Sequence, residues 1–303
     1  MKSGFSKHTP ELALLSVSFI WGTTFPLSKY VIESVPVFTY MAIRFFIASA
    51  LLYPFARRRL ALATAYDYKV SAMIGLALCG AFAFSNLGIS YTTASKTAVV
   101  NGLYAVLTPF FYFLIYRAPI KRSAVIASVM AFVGMGMLGV DFSAGFDWDF
   151  GVTLVMISAV FTALQIVGVG RFAVLIDPLV LTFFQTFVST VCCALIAVFT
   201  ESWPETISFK IWAAIIFMAI FATVVAYFVQ CRVQQYISHT VSAVIISTES
   251  VFGAVLAWLF LDETLTLIML TGCVLLVAAM LIAQIDPGGD ANRPTRQTGD
   301  NHE

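Results

Sequence analysis

The chain has 303 residues and a formal net charge of +1, with 60% hydrophobic and 11% charged residues, and its mean hydropathy is +0.92. A soluble domain is roughly 45–50% apolar and about 25% charged, so a water-soluble globular core is excluded and a bilayer, which solvates apolar side chains directly, is implied. The near-zero charge, gathered in short clusters, also excludes a basic nucleic-acid surface.

Lys2 and Lys7 precede an apolar run from residue 12 to 32. That run is too long for a secretory leader and lacks a small-x-small cleavage site, so it reads as the first membrane span. Pro26 interrupts it about one turn after Trp21-Gly22-Thr23-Thr24. A proline here frees a backbone carbonyl that could line a cavity or bend during gating, and small or hydroxylated neighbours let a ligand approach. A kink with no function is the alternative.

Further runs of near-spanning length, about 20 residues for a roughly 30 Å hydrocarbon core, lie near 37–55, 70–91, 97–116 and 121–140. Five more follow near 151–171, 179–199, 209–230, 240–260 and 266–285. The links are short, and no soluble domain fits between them. Residues 286–303 are polar and rich in Gly and Pro, a composition expected to form a disordered tail. With a cytoplasmic N-terminus, Arg57, Arg58, Arg59, Lys69, Arg117, Lys121, Arg122, Arg171 and Arg232 all fall inside, together with the basic residues of both ends. Only Lys96 and Lys210 fall in outer loops, so the positive-inside rule places both termini in the cytoplasm. The acidic residues Asp141, Asp147, Asp149, Glu201, Glu205, Asp262 and Glu263 then face outward.

The halves resemble each other. Ser95-Lys96-Thr97-Ala98 opens span four as Ser238-His239-Thr240-Val241 opens span nine, and Val35-Pro36 is echoed by Asp177-Pro178. Two related halves of five spans each must enter the membrane in opposite directions, the inverted-repeat plan of secondary transporters. The expected fold is therefore an all-α integral membrane protein of ten transmembrane helices, built as two inverted five-helix repeats around a central cavity. The expected division is 1–143, 144–285 and the tail 286–303.

Ionisable residues inside spans are few: Lys29, Arg44 and Glu249. A charge held at the bilayer centre costs at least about 2.5–3.5 kcal/mol, so each needs a compensating partner. Glu249 suits a proton carrier or a partner for a substrate amine, or else a neutral group bonded to a neighbouring helix. Arg44 suits a substrate carboxylate, a structural ion pair or snorkelling, and Lys29 can reach headgroup water through its own stem. Asn86, Asn101, Gln165, Gln185 and Gln230, with Tyr104 and Tyr227, can bond a ligand without a buried charge or can join helices. Pro109 interrupts span four as Pro26 does span one. The substrate-binding candidates are accordingly Trp21, Arg44, Asn86, Asn101, Tyr104, Gln165, Gln185, Tyr227 and Glu249, with Pro26 and Pro109 as gating candidates.

Gly134-Met135-Gly136-Met137-Leu138-Gly139 is a literal GxGxxG inside a span, without the strand-turn-helix setting of a nucleotide site, and reads as a close-packing face. The five cysteines lie in apolar stretches as packing residues, and His8, His239 and His302 are scattered. Nothing calls for a cofactor, a metal, a catalytic residue or ATP. The expected partners are a small-molecule substrate and the lipid bilayer, with monomer and homodimer both open.

Several features together carry a resemblance. They are Trp21-Gly22, Pro36 followed by Arg44-Phe45, Tyr91 before Ala94-Ser95, Thr108-Pro109-Phe110, and Glu249-Ser250-Val251-Phe252 ending at Leu261-Asp262-Glu263-Thr264-Leu265. In order and spacing over all ten spans, the chain resembles the EamA-type members of the drug/metabolite transporter superfamily. It departs from them at Arg117-Ala118-Pro119, where the family often has a Glu, and at Ser250, where a Pro commonly stands. The resemblance implies spans one to four and six to nine around the cavity, with five and ten as outer supports. It also implies export of amino acids, aromatic ones among them, or related metabolites across the inner membrane. Export of drugs or sugar-related metabolites stays open in the same fold, as do a membrane enzyme acting on lipid-linked substrates and a membrane scaffold.

Overall fold

A computed structural model describes residues 9–92, 94–117, 120–139, 150–253 and 267–285. Every regular element among them is helical. The acidic stretch Asp141–Asp149, the Leu261–Leu265 motif and the tail 286–303 lie outside the described residues.

Five helices are continuous, long and apolar enough to cross a bilayer: Val37–Leu60, Ala65–Tyr91, Phe150–Phe172, Pro178–Thr200 and Phe209–Val233. These are spans two, three, six, seven and eight. At 1.5 Å per residue each is about 34–40 Å long, more than the hydrocarbon thickness. Span five is Arg122–Gly139 and span ten Leu267–Ile285. Local chemistry sets the ends. Thr64 and Asp67 form a reciprocal capping box at the start of span three, at 3.2 and 2.8 Å. The Asp177 carboxylate accepts from Leu179 N at the start of span seven, where Pro178 occupies the first turn.

Spans one, four and nine are broken. Span one is Thr9–Gly22 followed by Thr24–Ile32, and span four is Ala94–Asn101 followed by Tyr104–Tyr116. Span nine runs His239–Ile246, turns at Ser247-Thr248 and resumes at 249–253. The prolines do not mark these breaks as expected. Pro109 sits within the helix Tyr104–Tyr116, and span four breaks instead at Gly102-Leu103, where Leu103, Ala105 and Val106 make shorter, i−3 bonds. Pro26 lies in the first turn of Thr24–Ile32, where no intrahelical donor is needed, and the break precedes it at Thr23. There the Thr23 and Thr24 hydroxyls donate to Ile20 O and Trp21 O, both at 2.7 Å.

The polarity of the molecule runs opposite to that of a soluble protein. Phe46, Met73, Leu76 and Leu195 stand exposed along the spans, on the surface that would face lipid, while Arg44, Glu249, Gln165, Gln185 and Gln230 are buried. Spans two and seven are joined at mid-length and at both ends. The Ser49 hydroxyl meets Thr186 and Thr190. The Glu201 carboxylate accepts from Phe38 N, Thr39 N and the Thr39 hydroxyl at 2.7–2.9 Å, and Arg59 pairs with Asp177 at the other end. Spans five and ten pack against each other and against the core shared with spans one, four, six and nine. A Cβ on Gly134 would meet Gly272 O at 2.8 Å, as the close-packing reading of the glycine motif requires, whereas Gly136 has nothing within 4 Å.

Candidate functional site

A cavity with about 760 Å³ of empty space, open solvent included, lies between the spans. On span three its lining runs from Leu78 to Ile89, from mid-helix to the end remote from Arg57, Arg58 and Arg59. The cavity therefore occupies the middle of the molecule and the half away from that basic face. Three broken helices supply it: Trp21 and Thr24 flank the break of span one, Asn101 and Tyr104 that of span four, and Glu249 follows the turn of span nine. Discontinuous helices at the site between repeats are the transporter arrangement, since they bring backbone and polar groups to the midplane.

Arg44 is 1% exposed. Its Nη1 donates to the Tyr40 hydroxyl and its Nε to the Thr223 hydroxyl, both at 2.9 Å. The guanidinium carbon stands 4.8 Å from the Phe82 ring centroid, a cation–π contact. It forms no ion pair with any carboxylate among the described residues, and its Nη2 has no protein partner. Among the described residues it is neither snorkelling nor ion-paired. Glu249 is also buried and lines the same cavity. The Tyr104 hydroxyl is itself buried and lies within hydrogen-bonding reach of the Glu249 side chain.

Aromatic rings stand in this cavity. Trp21 and Tyr227 are 5.1 Å apart by ring centroids, and Tyr227 and Phe82 are 6.2 Å apart. Gly22 makes the approach of span one to span nine possible, because a Cβ there would fall 2.8 Å from Glu249 O and 3.0 Å from the Phe252 Cβ. Polar cross-links fix the remaining walls. The Ser158 hydroxyl connects Ala81 O at 2.7 Å and Asn101 Oδ1 at 3.0 Å, joining spans three, four and six, while Asn86 donates to Phe82 O on its own helix.

The floor is a set of glutamines. Gln165 and Gln230 exchange amide hydrogen bonds at 3.3 Å, and Gln165 Nε2 also reaches Gln185 Oε1 at 2.8 Å. Gln185 is completely buried behind them and does not line the cavity. Below the floor, towards the basic face, the Tyr112 and His239 rings meet at a tilt with centroids 3.8 Å apart, and Arg171 lies over Tyr116 at 5.1 Å.

Eight of the nine substrate-binding candidates thus line one cavity: Trp21, Arg44, Asn86, Asn101, Tyr104, Gln165, Tyr227 and Glu249. Pro26 and Pro109 do not line it. Lys29 is tied down, donating from Nζ to Ile89 O at 2.7 Å and to Thr92 O at 3.2 Å, at the end of span three. Sequence reasoning did not place Ser28, Phe82, Ser85 or Thr162 in the lining. The signal for Phe82 was its one-turn spacing from Asn86 on the same helix face.

The EamA-like transporter family model matches the chain twice, over residues 8–140 and 149–284. An uncharacterized transporter of Archaeoglobus fulgidus is 30% identical over 282 residues, covering 93% of this chain and 88% of that protein. The uncharacterized transporter YvbV of Bacillus subtilis is 26% identical over 291 residues, with 91% and 92% covered. A solved crystal structure shares the fold with a TM-score of 0.78 over 92% of this chain and 98% of its own, at 18% identity. Each match to the family model holds five spans, an odd number, so the two repeats cross the membrane in opposite senses. The chain belongs to the EamA-like transporter family and is a multi-pass membrane transporter.

Proposed function

We propose that this transporter exports amino acids, with aromatic ones among its substrates, by alternating access across the inner membrane, its two termini in the cytoplasm. The observation that carries the reading is a buried guanidinium and a buried carboxylate lining one cavity, neither ion-paired to a described residue, with aromatic rings beside them. Two ionisable groups in a membrane interior without a counter-charge among the described residues are costly. A zwitterion satisfies both, its carboxylate at the open Nη2 of Arg44 and its ammonium at Glu249 and the Tyr104 hydroxyl. Trp21, Tyr227 and Phe82 then supply an apolar surface for the side chain, and Asn86, Asn101, Gln165 and Gln230 the neutral polar wall. Gln185 acts behind that wall by holding Gln165. With the basic face cytoplasmic, the cavity faces the outside.

Purified protein in liposomes, offered radiolabelled amino acids, sugars and cationic drugs with and without a pH gradient, tests the reading. Saturable amino-acid uptake that falls at least about tenfold in kcat/KM with Arg44→Ala and with Glu249→Gln is expected, since each change leaves a substrate charge desolvated and unpaired. Uptake confined to sugars or drugs, or uptake indifferent to both substitutions in well-folded protein, would refute it.

A further inference from the structure

Span eight is not a regular α-helix. Between Phe209–Phe217 and Ala226–Val233 it widens into a π-helix, Met218–Val225. The sequence Met-Ala-Ile-Phe-Ala-Thr-Val-Val holds no Gly or Pro to force this, and the wider turn is less stable than an α-turn. It persists where surrounding contacts hold it, and those contacts converge on the site.

Two chains of hydrogen bonds lead from the Arg44 guanidinium to Met218. In the first, Arg44 Nε donates to the Thr223 hydroxyl at 2.9 Å, and that hydroxyl donates its own proton to Met218 O, five residues back, at 2.9 Å. The hydroxyl has one proton and spends it on Met218, so towards Arg44 it can only accept. In the second, Arg44 Nη1 donates to the Tyr40 hydroxyl at 2.9 Å, which donates to Met218 Sδ at 3.3 Å. Both chains grip one side of the guanidinium and leave Nη2 without a protein partner. The same segment holds a second site residue, because the Trp21 indole N–H donates to Ala222 O at 2.9 Å.

We propose that the π-helical segment Met218–Val225 is the positioning element of the binding site, with Thr223 aiming the Arg44 guanidinium and the Ala222 carbonyl holding the Trp21 ring. Thr223 itself is completely buried and does not line the cavity, so it acts on a substrate only through Arg44. The uptake part of the test rests on the amino-acid reading above; the melting part does not.

The experiment compares Thr223→Val, which keeps the shape and removes the hydroxyl, with Thr223→Ser, which keeps the hydroxyl. In liposomes, Thr223→Val is expected to raise the KM for L-phenylalanine about tenfold, the size of one hydrogen bond to a charged group, with Vmax within about twofold. Thr223→Ser restores the KM. Inhibition by phenethylamine, which lacks the carboxylate, is expected to be the same in Thr223→Val and wild type. An unchanged KM in Thr223→Val, or an equal loss for phenethylamine, would overturn the proposal. If wild-type protein takes up no amino acid, the amino-acid reading falls and melting of purified protein decides the positioning claim. Thr223→Val then lowers Tm more in the Arg44 background than in Arg44→Lys, which keeps the charge without Nε, because the hydroxyl's bond to Met218 O is lost in both. Equal lowering in both backgrounds would show that Thr223 does not act through Arg44.

Discussion

Substituting Gly22 by alanine tests the crossing of spans one and nine, on which the position of Glu249 depends. The added Cβ would lie 2.8 Å from Glu249 O, 3.0 Å from the Phe252 Cβ and 3.1 Å from Gly253 N. All three are backbone or backbone-adjacent atoms, which cannot swing away as a side-chain tip can. Span nine must retreat by roughly half an ångström to restore ordinary contact, and overpacking of this kind costs about 1–3 kcal/mol. For a chain of this size that lowers Tm by roughly 2–5 °C. Because the atom displaced is the Glu249 carbonyl, substrate affinity is expected to fall along with stability. Two controls separate these effects. Gly134→Ala meets Gly272 O at the same 2.8 Å, but between spans five and ten, away from the cavity, so it should lower Tm and leave KM near wild type. Gly136→Ala meets nothing within 4 Å and should change neither. Thermal unfolding in detergent and uptake in liposomes measure the two quantities. A Gly22→Ala protein with wild-type Tm and KM would refute the reasoning.

Glu201→Ala removes the acceptor for Phe38 N, Thr39 N and the Thr39 hydroxyl, and by analogy with losing a helix cap should cost about 1–2 kcal/mol, read as a lower Tm with unchanged substrate specificity. Gln185→Leu removes the acceptor behind Gln165 and leaves a buried amide with one partner fewer, a cost of about 1–3 kcal/mol. In uptake assays it should raise KM although Gln185 does not line the cavity. Met218→Leu keeps the apolar bulk and removes the sulfur that accepts from Tyr40. A smaller rise in the KM for L-phenylalanine than that of Thr223→Val is expected, because sulfur is a weak acceptor.

Much of this architecture is legible in the residue string because the bilayer imposes a simple rule. Apolar runs of spanning length marked each span, and the observed helix ends differ by a few residues where charged or capping residues extend them, as Arg57, Arg58 and Arg59 extend span two and Thr64-Asp67 extends span three. The rarity of charge in spans singled out Arg44 and Glu249, and the structure places both in one cavity. What the string concealed depends on contacts distant in sequence. The breaks in spans four and nine carry no proline at the break itself, and the π-helix has no local cue, since it is held by Arg44 and Trp21 from residues more than 170 positions away. Gln185 shares its chemistry with Gln165 and differs only in lying one layer further from the cavity, a distinction set by helix rotation.

The most direct test of the central claim, that Arg44 and Glu249 together bind a zwitterion, is competition against radiolabelled L-phenylalanine uptake in liposomes by phenethylamine and by phenylpropionate. Each keeps the ring and lacks one of the two charges. The account predicts that either competitor binds at least about tenfold more weakly than unlabelled L-phenylalanine, because each leaves one buried ionisable group unpaired. Either competitor matching L-phenylalanine would show that the corresponding residue, Arg44 for phenethylamine or Glu249 for phenylpropionate, does not recognise the substrate's charge.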